Sequence, residues 1–443
     1  MRMLGVTLLS LFPAALFANT NDAVNDERFW AQWRGPRMAG ISPNGNPPME
    51  WSETKNVAWK IDFPGHGSST PIIWEDRLYV LTAVPAEGEA TKPDEVGSQR
   101  RRGDMASANE VEQIFKVFAL RRSDGSVVWE HTANRALPHE GKQQNNSYAS
   151  GSAVTDGVHL IAHFGSWGLY GYDLEGTLLW SKDFGTLRTR GGFGEGTSPA
   201  LFGDTLVVQW DSEDESFIVA LDKATGEERW RKSRDEVTSW ATPLVVSHGG
   251  RIQVIATGER RVMGYDLESG DVIWEGDGLT LNAIPSPVEH DGIVYVTSGF
   301  RGNAARAIRL SDAKGDITGA SKAVLWELDR DTPYVPSPLV YEGILYLIKS
   351  NSAILTALDA ETGRAHYGPA RLEGLSEVYA SPTGVKGHVI ILGRDGNALV
   401  LKNGPELTIV ARNSLDDGFD ASPAIVGNEM YLRGYRHLYK IAE

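Results

Sequence analysis

Ala220-Leu221-Asp222-Lys223-Ala224-Thr225-Gly226-Glu227-Glu228-Arg229-Trp230 is the stretch on which the reading of the fold turns. It reads as a strand ending at Asp222, a turn, and a second strand carrying Trp230. The Asp side chain can accept hydrogen bonds from turn N–H groups, and Gly226 can take the positive φ such a turn requires. Trp230 is expected to pack between neighbouring sheets. The same spacing recurs as Gly264, Asp266, Gly270 and Trp274, as Ala119, Arg121, Gly125 and Trp129, and as Ala357, Asp359, Gly363 and Tyr367. A copy shortened by one residue runs Gly171, Asp173, Gly176 and Trp180. A hairpin repeated at fixed spacing is the signature of a repeat architecture.

Upstream of each hairpin stands a second signal, a small hydroxyl residue and proline followed by a short strand. It reads Thr70-Pro71, Ser198-Pro199, Thr242-Pro243, Ser286-Pro287, Ser337-Pro338, Ser381-Pro382 and Ser422-Pro423, with Ser152-Ala153 in the equivalent place without proline. These starts count eight units, 41 to 51 residues apart from Pro199 onward, the length of a four-stranded blade. The reading is all-β: an eight-bladed β-propeller of four-stranded antiparallel blades. The last unit stops at Tyr439-Lys440-Ile441 before its outermost strand, while Val57-Ala58-Trp59-Lys60 is a strand without a unit. The N-terminal strand is therefore expected to complete the last blade, which removes two exposed edges. Residues 57–443 form the propeller in this reading, and 19–56 are a linker and strap, with Trp30 and Trp33 packed across it. The charged stretch 85–112, with Arg100-Arg101-Arg102, is expected to be a mobile insertion.

A formal charge of −15 argues against a nucleic-acid partner. The start, Met1-Arg2-Met3 and then an apolar run from Leu4 to Phe17, reads as a signal peptide over 1–18. At 14 residues that run is too short to span roughly 30 Å of hydrocarbon as a helix. The chain has no cysteine, which removes disulfides, a lipoprotein anchor and thiolate sites. A periplasmic or secreted monomer is the expectation.

These repeats resemble those of the PQQ-like propeller superfamily, which includes quinoprotein alcohol dehydrogenases and the propeller lipoprotein of the outer-membrane barrel assembly machinery. Gln32-Trp33-Arg34-Gly35-Pro36 and the ending Leu432 to Tyr439 are similar to secreted PQQ-like proteins of planctomycetes and marine bacteria. The quinoprotein branch carries adjacent cysteines over its cofactor and the lipoprotein branch an acylated cysteine, and this chain has neither. Such motifs specify fold more than function.

The resemblance implies a working mouth formed by the loops that enter each innermost strand and those joining the second strand to the third. For PQQ with calcium, the implied site takes Trp167 and Trp240 as platforms, Arg301, Lys349 and Arg394 for carboxylates, and Glu195, Asn282 and Asp420 for oxygens. The competing reading is a binding or scaffold propeller of the cell envelope, whose partner is a protein, a peptide or a glycan. Hydrolase and lyase chemistry has no constellation behind it. No metal site is read: His159 and His163 are four apart on a strand, about 13 Å, too far to share an ion. Asp211-Ser212-Glu213-Asp214-Glu215 reads as a solvated turn, and Asp416-Asp417-Gly418-Phe419-Asp420 as a loop leading into the mouth.

Overall fold

The computed structural model describes residues 23–66, 68–86, 111–349 and 352–443. The segment read as a signal peptide, most of the insertion read as mobile, and Asn351 lie outside the described residues. Among the described residues the chain forms eight sheets, each built on four antiparallel strands, and no helix is long and apolar enough to cross a membrane. Blade 3 is typical, running Ala200–Phe202, Thr205–Trp210, Ser216–Asp222 and Glu228–Arg234 from the channel outward. Blades 1, 2, 4, 5, 6 and 7 span residues 72–136, 154–182, 244–277, 288–328, 339–371 and 383–414. Blade 8 takes its three inner strands from residues 424–441 and its outermost from Val57–Asp62, as the unpartnered N-terminal strand predicts.

The hairpin grammar has a double physical basis. Asp222 Oδ1 accepts from the N–H groups of Ala224 and Thr225 at 2.9 and 3.1 Å, which shapes the turn. Gly226 takes φ +70°, and a Cβ there would stand 2.5 Å from the Trp180 ring of the preceding blade. The Trp indoles reach the turn of the next blade: Trp59 Nε1 to Arg122 O, Trp129 to Leu174 O, Trp180 to Lys223 O, Trp230 to Leu267 O and Trp326 to Ala360 O, at 2.8 to 3.1 Å. Trp274 departs from this and donates to Gln253 Oε1 within its own blade at 3.0 Å. Beside it the strand Gly315–Asp316 pairs in parallel with the outermost strand of blade 4, and Ile317 packs in the same apolar cluster as Trp274.

The hydroxyl of the second signal has an equally specific use. Thr70 N–H donates to Ser152 Oγ, Ser152 to Ser198, Ser198 to Thr242, Thr242 to Ser286, Ser286 to Ser337, Ser337 to Ser381, Ser381 to Ser422, and Ser422 to Thr70. These bonds run from 2.8 to 3.2 Å and form a closed circle around the channel. The backbone donors that proline and the blade geometry leave without a ladder partner are thereby satisfied from the next blade.

The N-terminal strap lies along the innermost strands. Trp30 pairs with Ile73 of blade 1, Thr155 N–H of blade 2 donates to Ala31 O, and Ile41–Ser42 pair in parallel with the inner edge of blade 7. Asn46 N–H donates to Gly427 O, in the turn between the first two strands of blade 8. The strap therefore sits toward the end of the channel opposite the loops that enter the innermost strands. Arg34 anchors it, only 1% exposed, donating to the carbonyls of Met38, Ala39 and Pro338, the last at 2.8 Å.

Candidate functional site

With strands ordered one to four from the channel outward and all antiparallel, the loops entering the innermost strands and those between the second and third strands share one end of the ring. Strap residues 30–46 lie at the other end, so this end is the mouth; further along the strap, Glu53 accepts from the Asp416 N–H at 2.8 Å, in the loop entering blade 8. The loop over residues 137–150, which enters blade 2, reaches far across it. Asn145 Nδ2 donates to Tyr379 Oη at 3.3 Å, in the loop entering blade 7, while Asn146 Nδ2 donates to the carbonyls of Phe193 and Glu195.

Arg394 is the centre of the largest polar group here. It donates to Asp420 Oδ1 at 2.8 Å, to Glu377 Oε2 at 2.9 Å and to Tyr435 Oη at 3.0 Å, and lies 4.2 Å over the Tyr379 ring. Burial pushes the Asp420 carboxyl up, and the Arg394 guanidinium offsets only part of that rise. Tyr435 stacks on His66 at 4.9 Å. Burial and the cations Lys142, Arg433 and Arg394 push His66 down to about 3. Asp417 organises the loop before Asp420: its carboxylate accepts from the N–H groups of Gly418, Tyr435, Arg436 and His437.

On the other side, Arg190 pairs with Glu259 at 2.6 Å and donates to Asn282 Oδ1 at 3.4 Å. Asn282 is 1% exposed with φ +61°, a conformation that Asn tolerates better than most side chains. Phe300 and Tyr334 stack at 4.8 Å, with Arg301 5.5 Å over Phe300. Lys349 lies 3.6 Å from Asp331. Trp240 Nε1 donates to Gly194 O at 2.6 Å. Trp167 is buried, stacked on Phe115 at 4.6 Å and edge-on to Tyr148.

Of the eight residues assigned to a cofactor, the fold joins Arg394 directly to Asp420, and it places Trp167 in blade 2, Trp240 at the entry to blade 4, Asn282 and Arg301 both in blade 5, and Lys349 in blade 6. Glu195 is held by its Oε2, which accepts from Ser166 N–H at 2.9 Å; burial pushes its carboxyl up to about 8. His66, Lys142 and Glu377 also belong to the mouth and were not singled out from sequence. Glu377 precedes an innermost strand like the other loop residues and carried the same positional signal. The solvated-turn reading of 211–215 is corrected at Asp211. Its side chain has no exposed surface and pairs at 2.8 Å with an equally buried Arg234, because the end of the outermost strand of blade 3 folds over it.

A family model described as outer membrane protein assembly factor BamB matches residues 48–183, 168–315 and 259–407. A curated relative of that description from Francisella salina is 25% identical over 175 residues, 35% of this chain and 32% of the relative, so the match spans about a third of the relative's length. Among solved structures, BamB from Moraxella catarrhalis aligns with a TM-score of 0.58 at 13% identity, over 86% of this chain and 98% of that one. Quinohemoprotein alcohol dehydrogenase from Comamonas testosteroni gives 0.60 at 11% identity, over 93% and 80%. A europium-containing methanol dehydrogenase gives 0.62 at 9% identity, over 94% and 91%. At these identities the structural likenesses speak for the propeller alone. The matched repeats run through most of the ring, and the chain belongs to the PQQ-like propeller family of outer membrane protein assembly factor BamB.

Proposed function

We propose that this protein is an exported, periplasmic or secreted propeller that acts without catalysis, docking an envelope protein, peptide or glycan at its mouth. The carrying observation is that the central charges at the mouth are paired with one another, although Arg301 is not. Arg394 is held by Asp420 and Glu377, and Arg190 by Glu259, while Asn145 ties the crossing loop to Tyr379. Such an arrangement is a rigid, pre-organised surface with little ordering cost on binding. Family membership supports an envelope role. Photo-crosslinking side chains placed at Arg301 and Lys349, in cells, test the reading against the same label at Val272 and Leu178 on the outer strands. Defined crosslinks from the mouth alone are the expected result; crosslinks from the outer strands alone would overturn it.

A quinoprotein reading stands second, favoured by Arg301, which makes no ion pair among the described residues and lies beside the Phe300–Tyr334 stack. Trp167, Trp240, Asn282, Arg301, Lys349, Arg394 and Asp420 would then hold PQQ and calcium. In this arrangement they do not fit the group. Trp240 and Glu195 border a cavity of about 20 Å³, room for one water rather than a tricyclic tricarboxylate. Trp167 is covered by Phe115 and Tyr148, and Arg394 is already neutralised. Titration with PQQ and calcium, read by quinone absorbance and thermal shift, decides between the two: one equivalent of bound quinone would displace the docking reading.

A further inference from the structure

One wall of the mouth is built by two segments: residues 299–303, between the second and third strands of blade 5, and residues 329–338, which enter blade 6. Thr332 joins them. Its hydroxyl donates to Ser298 O at 2.6 Å and its N–H to Asn303 Oδ1 at 3.3 Å. On this joint Phe300 and Tyr334 stack at 4.8 Å with 23° between their planes, and the Arg301 guanidinium lies 5.5 Å over the Phe300 ring. A single bridge pairs Arg301 with Leu281, next to Asn282, and Tyr334 stands beside Asn282 and Tyr379.

Two features set this wall apart from the rest of the mouth. Arg301 is exposed and has no carboxylate partner among the described residues, whereas Arg394 and Arg190 are each held by carboxylates. Phe300 is 38% exposed, so the stacked pair keeps an open flank beside that guanidinium. The charge of the wall also runs against that of the chain. Arg301, Arg330 and Lys349 stand here against Asp329 and Asp331, with Lys349 at 3.6 Å from Asp331, in a protein of formal charge −15.

We propose that this wall binds a uronate residue of an acidic glycan, with Phe300 and Tyr334 as the platform for the sugar ring and Arg301 as the partner of its carboxylate. The inference rests on the mouth being the docking face and names the class of its ligand. The C–H groups of a sugar ring lie favourably on the negative face of an aromatic ring, and the planar guanidinium fork takes a carboxylate through two parallel N–H···O bonds. A neutral sugar would leave the guanidinium unmatched. A peptide fits less well, because extended peptides are captured largely through main-chain hydrogen bonds. Here the backbone is occupied within the wall: Thr332 N–H by Asn303, Thr280 N–H by Ser298 Oγ at 2.8 Å, and Arg301 by its bridge to Leu281.

The test titrates the full chain calorimetrically with hexagalacturonate and hexamannuronate, with neutral maltohexaose, and with a hexapeptide of alternating Glu and Tyr. Binding of a uronate hexamer is expected, at least ~10-fold weaker in Arg301→Gln and in Phe300→Ala, and weaker by as much for maltohexaose. Lys322→Gln removes an exposed cation that pairs with Asp312 away from the mouth, and it should leave the affinity unchanged. Binding of neither uronate, binding unchanged in both mouth variants, an equal loss in Lys322→Gln, or tighter binding of the peptide would overturn the proposal. The docking reading fails on a different result, crosslinks confined to the outer strands. Defined crosslinks from the mouth of a protein that binds neither uronate would sink the glycan alone.

Discussion

The backbone N–H of Ser422 donates to Thr70 Oγ1 at 3.2 Å, joining positions 352 residues apart in the chain. It is the last link in the circle of eight hydroxyl bonds, and with Val57–Asp62 pairing to His437–Ile441 it locks the first blade to the last. Thr70→Val keeps the shape and removes the acceptor, leaving a buried N–H unmet at a cost of about 1–3 kcal/mol. Urea unfolding should show that loss. Thr242→Val breaks the equivalent bond from Ser198 within the continuous part of the ring. Equal losses would mean that the closing link carries no more than any other, and a larger loss at Thr70 would show that closure holds the ring together.

The turn glycines test the interlock between blades. Gly226→Ala meets two costs, a positive φ and a Cβ 2.5 Å from the Trp180 ring. Gly343→Ala meets only the first: φ is +78° and nothing lies within 4 Å of its Cβ. The strained backbone costs about 1–2 kcal/mol in either case. Gly226→Ala should therefore lose more stability than Gly343→Ala by about 1–3 kcal/mol, the range for forcing volume into a packed site. Chemical denaturation of the two variants measures the difference, and matching losses would remove the indole from the explanation.

What was legible in the sequence is what repeats. Ser/Thr-Pro and the Asp-Gly-Trp spacing recur because the blades solve one local problem, each satisfying an inner N–H and six of the eight seating one indole. Trp59 could be assigned to blade 8 because a closed ring leaves one strand over. The mouth follows no period. Asn145 meets Tyr379 from 234 positions away, and Arg394 meets Asp420 through the chance geometry of two loops. Asp211 sits in five consecutive polar residues that read as solvated, and its burial depends on where the outermost strand of blade 3 ends.

The pair formed by Asp211 and Arg234 allows a third prediction. Asp211 also accepts from Ser239 Oγ and Gln209 Nε2 at 2.6 Å each, so the carboxylate is the hub of a sealed network. Asp211→Ala leaves the guanidinium buried without its partner and should cost about 3–5 kcal/mol. Replacing both, Asp211→Leu with Arg234→Met, should recover part of that loss, since no lone charge remains. Thermal unfolding of the single and double variants checks it. A double variant no more stable than Asp211→Ala would mean that the network, rather than the charge pair, carries the stability.

His66 makes the fold acid-sensitive. Its imidazole is held neutral down to about 3 by burial and by the cations Lys142, Arg433 and Arg394, against an ordinary value of 6.5. Between those two values the unfolded chain takes up a proton that the folded one refuses. Stability linked to this group is therefore complete above about pH 6.5 and is lost progressively as the pH falls toward 3. His66→Gln keeps a polar side chain beside Tyr435 and removes the titration. The stability difference between pH 7 and about pH 4.5, measured by urea unfolding, should shrink in this variant relative to the unaltered chain. Every other titrating group contributes the same slope to both proteins, so only the difference between the two slopes reports on His66. Parallel slopes would place the acid sensitivity elsewhere in the fold.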